Sequence, residues 1–531
     1  MKILFVARHL TYLRNFDSAL EELARVGHDL HIVVEQHEEF GGTQIIDRLS
    51  AADPGRIRTS VSPAPAGRGY ALAVRLRFGI DYLRYLEPAY AKTPRLKGRA
   101  RRKTPSGVVR LTERGPFSRA PLRRWLGRML SAVEQAIGPA PEVEALLRAE
   151  QPDAVLLTPL IGVVASPQLD FLYAARRLRI PSALCVWSWD HLSSKAIIRT
   201  VPDRVIVWNP TQEREAIDLH GVPASRLTVT GAQCFDRWFD RTPSRPRAEF
   251  CQRVGLPDDR PFLLWVCSSL FKGSPVEAEF VRRWIRALRE SGHPELASCG
   301  ILVRPHPSRL QEWESVDLSQ EAGVTVWGGN PIAPEPRADY FDSLHYSAAV
   351  VGLNTSAFIE GAIAERPVYT VLLPEYYDNQ EGTIHFHYLL GAAVAPDGST
   401  STDVDGSGAG LLHLSRSLEA HAIQIAGALR GEADAARSRR FVEAFVRPHG
   451  LTDAATPRFV SAITTLPSSG PAAAPAGPGV MARLGARLAL RWAGTPAGRI
   501  WLADEASAEK ERRRQSKGPS KKDGKPRKTA A

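Results

Sequence analysis

GLNTSAFIEGAIAERPVYTV, Gly352 to Val371, joins two apolar runs through a polar Asn-Thr-Ser step. Its flanks, YSAAVV and RPVYTVLL, read as short buried strands, and SAFIEGAIAE between them has helical spacing. Strand, polar turn, helix, strand is the repeating unit of a parallel α/β sheet. Thr355 and Ser356 therefore stand where a strand hands over to a helix, and unpaired helix N–H groups and the helix dipole favour negative charge at such a place. The plainer reading is a helix N-cap.

Upstream of this stretch, PFLLWVCSS is a strand ending in small polar residues, EAEFVRRWIRALRES a helix, GILVRPHP a strand, YFDSLHYSA a short helix and AVVGLN a strand. The N-terminal half repeats the theme. KILFVA, RHLTYLRNF, DSALEELARVG and HDLHIVVE read as strand, loop, helix and strand, with Gly27 as the helix stop. That first loop has no G-x-G-x-x-G, so a dinucleotide is not indicated there. After a basic insertion, strands near 154–158, 182–187 and 204–208 alternate with helical stretches. The expected fold class is α/β: two doubly wound Rossmann-like domains facing across a cleft. The first spans 1–210, with a basic helical insertion at about 60–130, and the second spans 211–465. A Pro/Gly/Ala-rich linker, 466–479, leads to a basic tail, 480–531, in which VMARLGARLALRWAG forms an amphipathic helix and the final EKERRRQSKGPSKKDGKPRKTAA is disordered.

The bulk properties agree with two domains. A chain of 531 residues exceeds one ordinary core, and 44% hydrophobic with 24% charged residues is a globular composition. The longest apolar run, AVLLTPLIGVVA, is too short to span a membrane and is interrupted by Pro159. MKILFVARHL lacks the features of a signal peptide, so a cytoplasmic location is expected. Five cysteines, odd in number and never spaced C-x-x-C, suggest neither a disulfide framework nor a zinc site.

The net charge of +12 is unevenly distributed: Arg68 to Arg128 holds seventeen Lys and Arg against three acids, and Arg499 to the end eleven against five. YALAVRLRFGIDYLRYLEPAY interleaves Arg75, Arg77 and Arg84 with Leu, Phe, Ile and Tyr, as an interfacial helix does. The insertion and tail are therefore expected to meet an anionic membrane surface, holding the protein peripherally on the inner face of the cell membrane. The alternative is a solvated basic face whose apolar side packs on the domain. Nucleic acid is an unlikely partner, because stacking motifs are not evident.

Ligands of open α/β sheets bind beyond the carboxyl ends of the strands. In the second domain those positions hold Ser268, Ser269 and Lys272, then Arg304 and His306 in VRPHPS, then Asn354, Thr355 and Ser356 with Glu360 one turn later. Hydroxyls, a Lys, an Arg and a His converging on one edge suit a diphosphate without a metal, and Glu360 suits a ribose hydroxyl pair. In the first domain WSWDHLSSK offers Asp190 and His191 as candidate catalytic bases between indoles, with Asp190 as a helix cap the plainer reading. HFH at 385–387 matches two metal ligands but lacks a third, so no metal is assigned. TGAQCFDRWFD, 230–240, reads as a hinge or a nucleotide-facing loop.

The two-domain outline, VRPHPS and GLNTSAFIEGAIAERPVYT resemble GT-B glycosyltransferases, and within them the clan of CDP-glycerol glycerophosphotransferases, capsule polysaccharide transferases and UDP-N-acetylglucosamine 2-epimerases. The resemblance covers about residues 1–50 and 150–460. It implies that Arg304, His306, Thr355 and Ser356 face a nucleotide's phosphates, that Glu360 faces its ribose, and that WDHLSSK carries the acceptor-side base. The glutamate that retaining members carry eight residues before the equivalent of Glu360 is Gly352 here, and DHLSS and LNTSA replace the His-Gly and Asp-Tyr-Ser-Ser patterns of the glycerophosphotransferases. The implied function is metal-independent, inverting transfer of a sugar from a nucleotide-diphosphate donor to a surface-polysaccharide or lipid-linked acceptor, with no cofactor. The alternatives are polyol-phosphate transfer from a CDP-polyol and a non-catalytic binding protein of the same fold.

Overall fold

The structure, a computed structural model, describes residues 1–35, 42–314, 316–318, 320–402, 410–468 and 478–515. Seven parallel strands form the first sheet: β1 (Lys2–Ala7), β2 (Asp29–Val34), β3 (Ile57–Val61), β4 (Ala154–Thr158), β5 (Ser182–Cys185), β6 (Arg204–Val207) and β7 (Leu227–Val229). Their spatial order is β3-β2-β1-β4-β5-β6-β7. The second sheet is built from β8 (Phe262–Val266), β9 (Gly300–Arg304), β10 (Val324–Val326), β11 (Ala349–Gly352), β12 (Val368–Val371) and, after an antiparallel pair β13 (Ala392–Val394) and β14 (Thr400–Thr402), β15 (Leu412–Ser415). Its order is β10-β9-β8-β11-β12-β15, again parallel.

Central strands such as β4 and β8 are buried throughout because helices cover both faces. Under the second sheet, Trp265 and Trp284 pack with ring centroids 4.8 Å apart, and neither is exposed. Each sheet reverses its winding once, between β1 and β4 and between β8 and β11, where Leu4 pairs with Val155 and Val350 with Leu264. Such a reversal opens a crevice at the carboxyl edge, and the two crevices face one another across a cleft. The two doubly wound domains expected from the sequence are present.

Two domain limits differ from expectation. The first sheet runs on to β7, past residue 210, because LTV at 227–229 pairs with β6. The helix Ala455–Thr464 returns to the first domain, burying Phe459 and Ile463 among Phe16, Leu20 and Ile32. The linker residues 469–477 lie outside the described residues, as do 516–531 of the tail, whereas 509–515, where disorder was expected, continue the helix Pro496–Gln515.

The insertion helix Gly67–Arg84 is not an interfacial helix. Its Arg77 is 5% exposed and donates to Glu134 Oε1 at 2.7 Å and to Asp170 Oδ2 at 2.8 Å. Arg75 pairs with Glu509 of the terminal helix at 2.8 Å, and Arg199 pairs with the helix's own Asp81. Arg84 is buried and donates to the carbonyls of Leu192, Lys195 and Ala196, at 2.5, 2.8 and 2.5 Å. A buried guanidinium needs such acceptors, since desolvation without them costs several kcal/mol. These arginines therefore serve the domain interior and not a membrane, which is the packed alternative to the interfacial reading.

Candidate functional site

The cleft holds a cavity of about 900 Å³ lined by both domains. On the second-domain wall, the loops after β8 and β11 are tied together at the winding reversal: Asn354 N–H donates to Ser268 Oγ at 3.0 Å, and Ser268 N–H donates to Glu277 Oε2 at 2.8 Å. Ser268 is completely buried and holds this junction, so it does not face the cavity; Lys272 points to solvent outside it. Ser269, Asn354, Thr355 and Ser356 line the cavity, and Asn354 Oδ1 is buried without a hydrogen-bond partner. Ser356 makes no capping hydrogen bond to the helix that follows, Ala357–Ile363; the first N–H of that helix, on Ala357, donates to Thr355 Oγ1 at 3.4 Å.

Arg304, at the end of β9, is 6% exposed. It donates to Ser343 Oγ at 3.0 Å and lies 5.0 Å over the Tyr340 ring. Gly328, at φ +118°, lets the backbone close on it: a Cβ there would stand 2.5 Å from Arg304 Cζ. Arg304 therefore contributes charge at the cavity wall more than reach into it. His306 Nδ1 accepts from Ser308 N–H at 3.2 Å, which assigns the ring proton to Nε2. Burial, with Arg14 and Arg309 nearby, pushes its pKa down to about 4, so His306 offers a neutral donor and not a cation. Glu360 accepts from Tyr340 Oη, and burial raises its carboxyl to about 7.

The first-domain wall is the loop after β5. Asp190 accepts from Ser188 Oγ at 2.5 Å, Ser194 Oγ at 2.7 Å and Lys195 Nζ at 2.8 Å. Burial pushes its carboxyl up, but Lys195 and the hydrogen bonds outweigh that and hold it well below the usual carboxylate range. His191 does not reach the cavity. It is fully buried, its Nε2 lies 2.8 Å from the Pro159 carbonyl, its Nδ1 accepts from Trp187 N–H at 3.4 Å, and burial pushes it down to about 3. His191 is a neutral strut, and only Asp190 of the two candidate bases faces the cleft.

Sequence reasoning missed the cleft's strongest feature. Seven Arg and Lys side chains line it against three carboxylates. Arg14 comes from the loop after β1, Arg241 from the loop after 236–239, and Arg337 from the helix Pro334–Tyr346. Together with Arg304 these have no carboxylate within salt-bridge distance among the described residues; Arg337 donates only to the carbonyls of Pro331 and Ile332 and Arg241 lies on the Trp238 ring. By contrast Arg237, also in the cleft, is paired with Asp17 at 3.0 Å and with Glu21. His385 was also missed. HFH lies on the helix Ile384–Leu389, not a strand, and turns His385 into the cleft against Trp189, 4.7 Å between centroids, while His387 bonds the Glu381 carbonyl. His385 Nδ1 has no hydrogen-bond partner among the described residues, and burial holds the ring neutral with a pKa of about 4. No cluster of metal-ligating side chains is present among the described residues.

No protein-family model matches the chain, and no curated protein is similar to it in sequence. Among solved structures, the UDP-GlcNAc 2-epimerase of Methanocaldococcus jannaschii is similar over 87% of this chain and 99% of its own, at 13% identity and a TM-score of 0.46. A glycosyltransferase from Rickettsia africae is similar over 88% and 98%, at 10% identity and 0.47. The UDP-GlcNAc 2-epimerase of Neisseria meningitidis, solved with UDP-GlcNAc, is similar over 87% and 100%, at 10% identity and 0.46. Likenesses of this size carry nothing about activity.

Proposed function

We propose that the protein is a glycosyltransferase of GT-B type that moves a sugar from a nucleoside diphosphate donor to a hydroxyl of a surface-polysaccharide or lipid-linked acceptor, with inversion. The observation that carries this reading is the cleft's charge: Arg14, Arg241, Arg304 and Arg337 converge, without carboxylate partners among the described residues, beside the hydroxyls of Ser269, Thr355 and Ser356. Cations and neutral donors fixed around one cavity stabilise a diphosphate as charge develops on it, which is the main electrostatic demand of sugar transfer. His306 Nε2–H and the Asn354 turn add donors, and Glu360 accepts from a ribose hydroxyl.

Asp190 faces this donor wall from the other domain. The acceptor oxygen attacks the anomeric carbon, the new glycosidic bond forms as the carbon–oxygen bond to the diphosphate breaks, and the nucleoside diphosphate leaves with that electron pair. Asp190 orients the attacking hydroxyl by accepting its hydrogen bond. Held ionised by Lys195, it is a weak base, so the proton passes to it only as the hydroxyl acidifies in the transition state. Epimerisation fits less well: of the three cleft carboxylates, Asp17 is occupied by Arg48 and Arg237, which leaves Asp190 and Glu360 on opposite walls.

Thermal-shift titration with UDP, GDP, CDP and CMP tests the reading. Stabilisation by UDP or GDP supports sugar transfer, and a response confined to CDP and CMP points to polyol-phosphate transfer. A protein stabilised by none of the four is not a nucleotide-dependent transferase.

A further inference from the structure

Two helices on the side of the insertion carry an exposed face unlike the rest of the surface. Ala120–Ile137 and Val480–Ala493 run side by side in the same direction. Val133 Cγ2 lies 3.3 Å from where a side chain at Gly485 would begin, and Ile137 and Leu490, each about a turn further on, both close on Gly69 at 4.0 and 3.7 Å. One turn before the Val133 contact, Met129 and Met481 stand at the same height, and both are exposed.

The exposed apolar residues follow helical spacing. On the first helix they are Leu122, Trp125 and Met129, at i, i+3 and i+7; on the second, Met481, Leu484, Leu488 and Trp492, at i, i+3, i+7 and i+11. Trp125 is 51% exposed and Leu488 55%. A repeat of this kind forms a stripe, and a large apolar stripe on a surface marks an interaction site, whereas a lone exposed side chain such as Ile423 does not.

The charges beside the stripe are all positive. Arg124 and Arg128 flank it on the first helix and Arg483, Arg487 and Arg491 on the second, none in a salt bridge among the described residues. No acidic residue occurs from 120 to 133 or from 480 to 503, and the sequence after 515 adds five lysines and an arginine against one aspartate. Apolar side chains that include two tryptophans, interleaved with uncompensated arginines, match the boundary of an anionic bilayer, where apolar groups enter the acyl region and arginines meet headgroup phosphates. A protein surface would have to be both apolar and acidic along the same line.

We infer that the paired outer faces of 120–137 and 480–493 form a docking surface for an anionic lipid bilayer. The sequence reading assigned membrane contact to the basic insertion and the tail, with YALAVRLRFGIDYLRYLEPAY as the interfacial helix; the structure buries that helix, Gly67–Arg84, beneath these two. None of the stripe residues lines the cleft, so the inference stands apart from the nucleotide reading.

Co-sedimentation of the full chain with vesicles of phosphatidylcholine alone, or of phosphatidylcholine with phosphatidylglycerol, tests it. The wild type pellets with the anionic vesicles and stays in solution with the neutral ones. Arg487→Ala lowers the partition coefficient by about fivefold, the effect of one surface cation, and Trp125→Glu with Leu488→Glu abolishes pelleting, while Ile423→Glu leaves it unchanged. Since the substituted side chains are exposed, circular dichroism melts of the double variant match the wild type. The inference is overturned if the wild type ignores anionic vesicles or if the double variant pellets equally. It is also overturned if sedimentation velocity shows a dimer that the double variant dissolves, for then a second copy covers the face.

Discussion

The arginines of the insertion and the arginines of the cleft are chemically identical and do opposite work. Arg77 and Arg84 are buried, and every contact they make is internal: Arg77 sits between Glu134 and Asp170, and Arg84 spans three carbonyls of the loop that bears Asp190. Arg14, Arg241 and Arg337 have no carboxylate partner in reach among the described residues and face an open cavity. The insertion's arginines Arg77 and Arg84 fix the interior and the first-domain wall of the cleft, while the cleft's arginines stand without internal carboxylate partners among the described residues. Regional net charge therefore says little about where a charged partner binds; the local ratio of cations to acceptors says much more.

The largest effect separates the acceptor wall from the donor wall. Asp190→Asn is expected to lower kcat by about 100- to 10,000-fold, the range for losing a positioned proton acceptor, with nucleotide affinity kept; steady-state kinetics beside calorimetry check this. Equal loss of both would make Asp190 a structural residue.

Next comes stability. Arg77→Ala leaves Glu134 and Asp170 buried without their cation and is expected to cost about 3–5 kcal/mol, read by denaturant unfolding. Arg337→Ala removes no ion pair and should leave the unfolding midpoint near that of the wild type, yet weaken nucleoside diphosphate binding by about 10- to 100-fold through loss of charge-assisted hydrogen bonds. If Arg77→Ala were instead to lose binding without losing stability, the contrast between the two sets would fail.

The smallest effect is the pH dependence of stability. Burial raises Glu360 to about 7 and Glu215 and Glu277 to about 8. Between their unfolded values and these, the folded state binds more protons, so stability rises as pH falls from 8 towards 6.5. His191, His306, His385, His413 and His421, pushed down to between about 3 and 4, act oppositely and outnumber the three carboxyls: below pH 6.5 the unfolded chain takes up protons that the folded rings refuse. Melting temperature should thus peak near pH 6.5 at constant ionic strength, and Glu360→Gln should flatten the alkaline limb.

Much of the fold was legible because each strand of a doubly wound sheet is a continuous apolar run followed by a helix, as in KILFVA and PFLLWVCSS. The polar residues at strand ends were legible for the same reason: Asp190, Ser269, His306 and Thr355 were found by position and do line the cavity. His191 was misplaced because one residue's step along a turn separates a side chain facing the cleft from one facing the sheet. The helix Gly67–Arg84 misled because its buried acceptors, Glu134, Asp170 and the 192–196 carbonyls, are remote in sequence. Arg14, Arg241 and Arg337 had no local signature, and HFH drew notice to His385 only as a metal pattern, since each reaches the cleft from a different loop or helix and their convergence exists only in the folded chain.

The most direct test of the central claim, that the unpaired cleft arginines hold a nucleoside diphosphate, is calorimetric titration of UDP, GDP and CDP into three proteins: the wild type, an Arg241→Ala/Arg337→Ala double variant and an Arg124→Ala control. The account predicts that one of the three diphosphates binds the wild type one to one, more weakly as salt is raised, with binding kept in the control and lost in the double variant. Binding that is absent from the wild type, or that survives removal of both arginines unchanged, would contradict it.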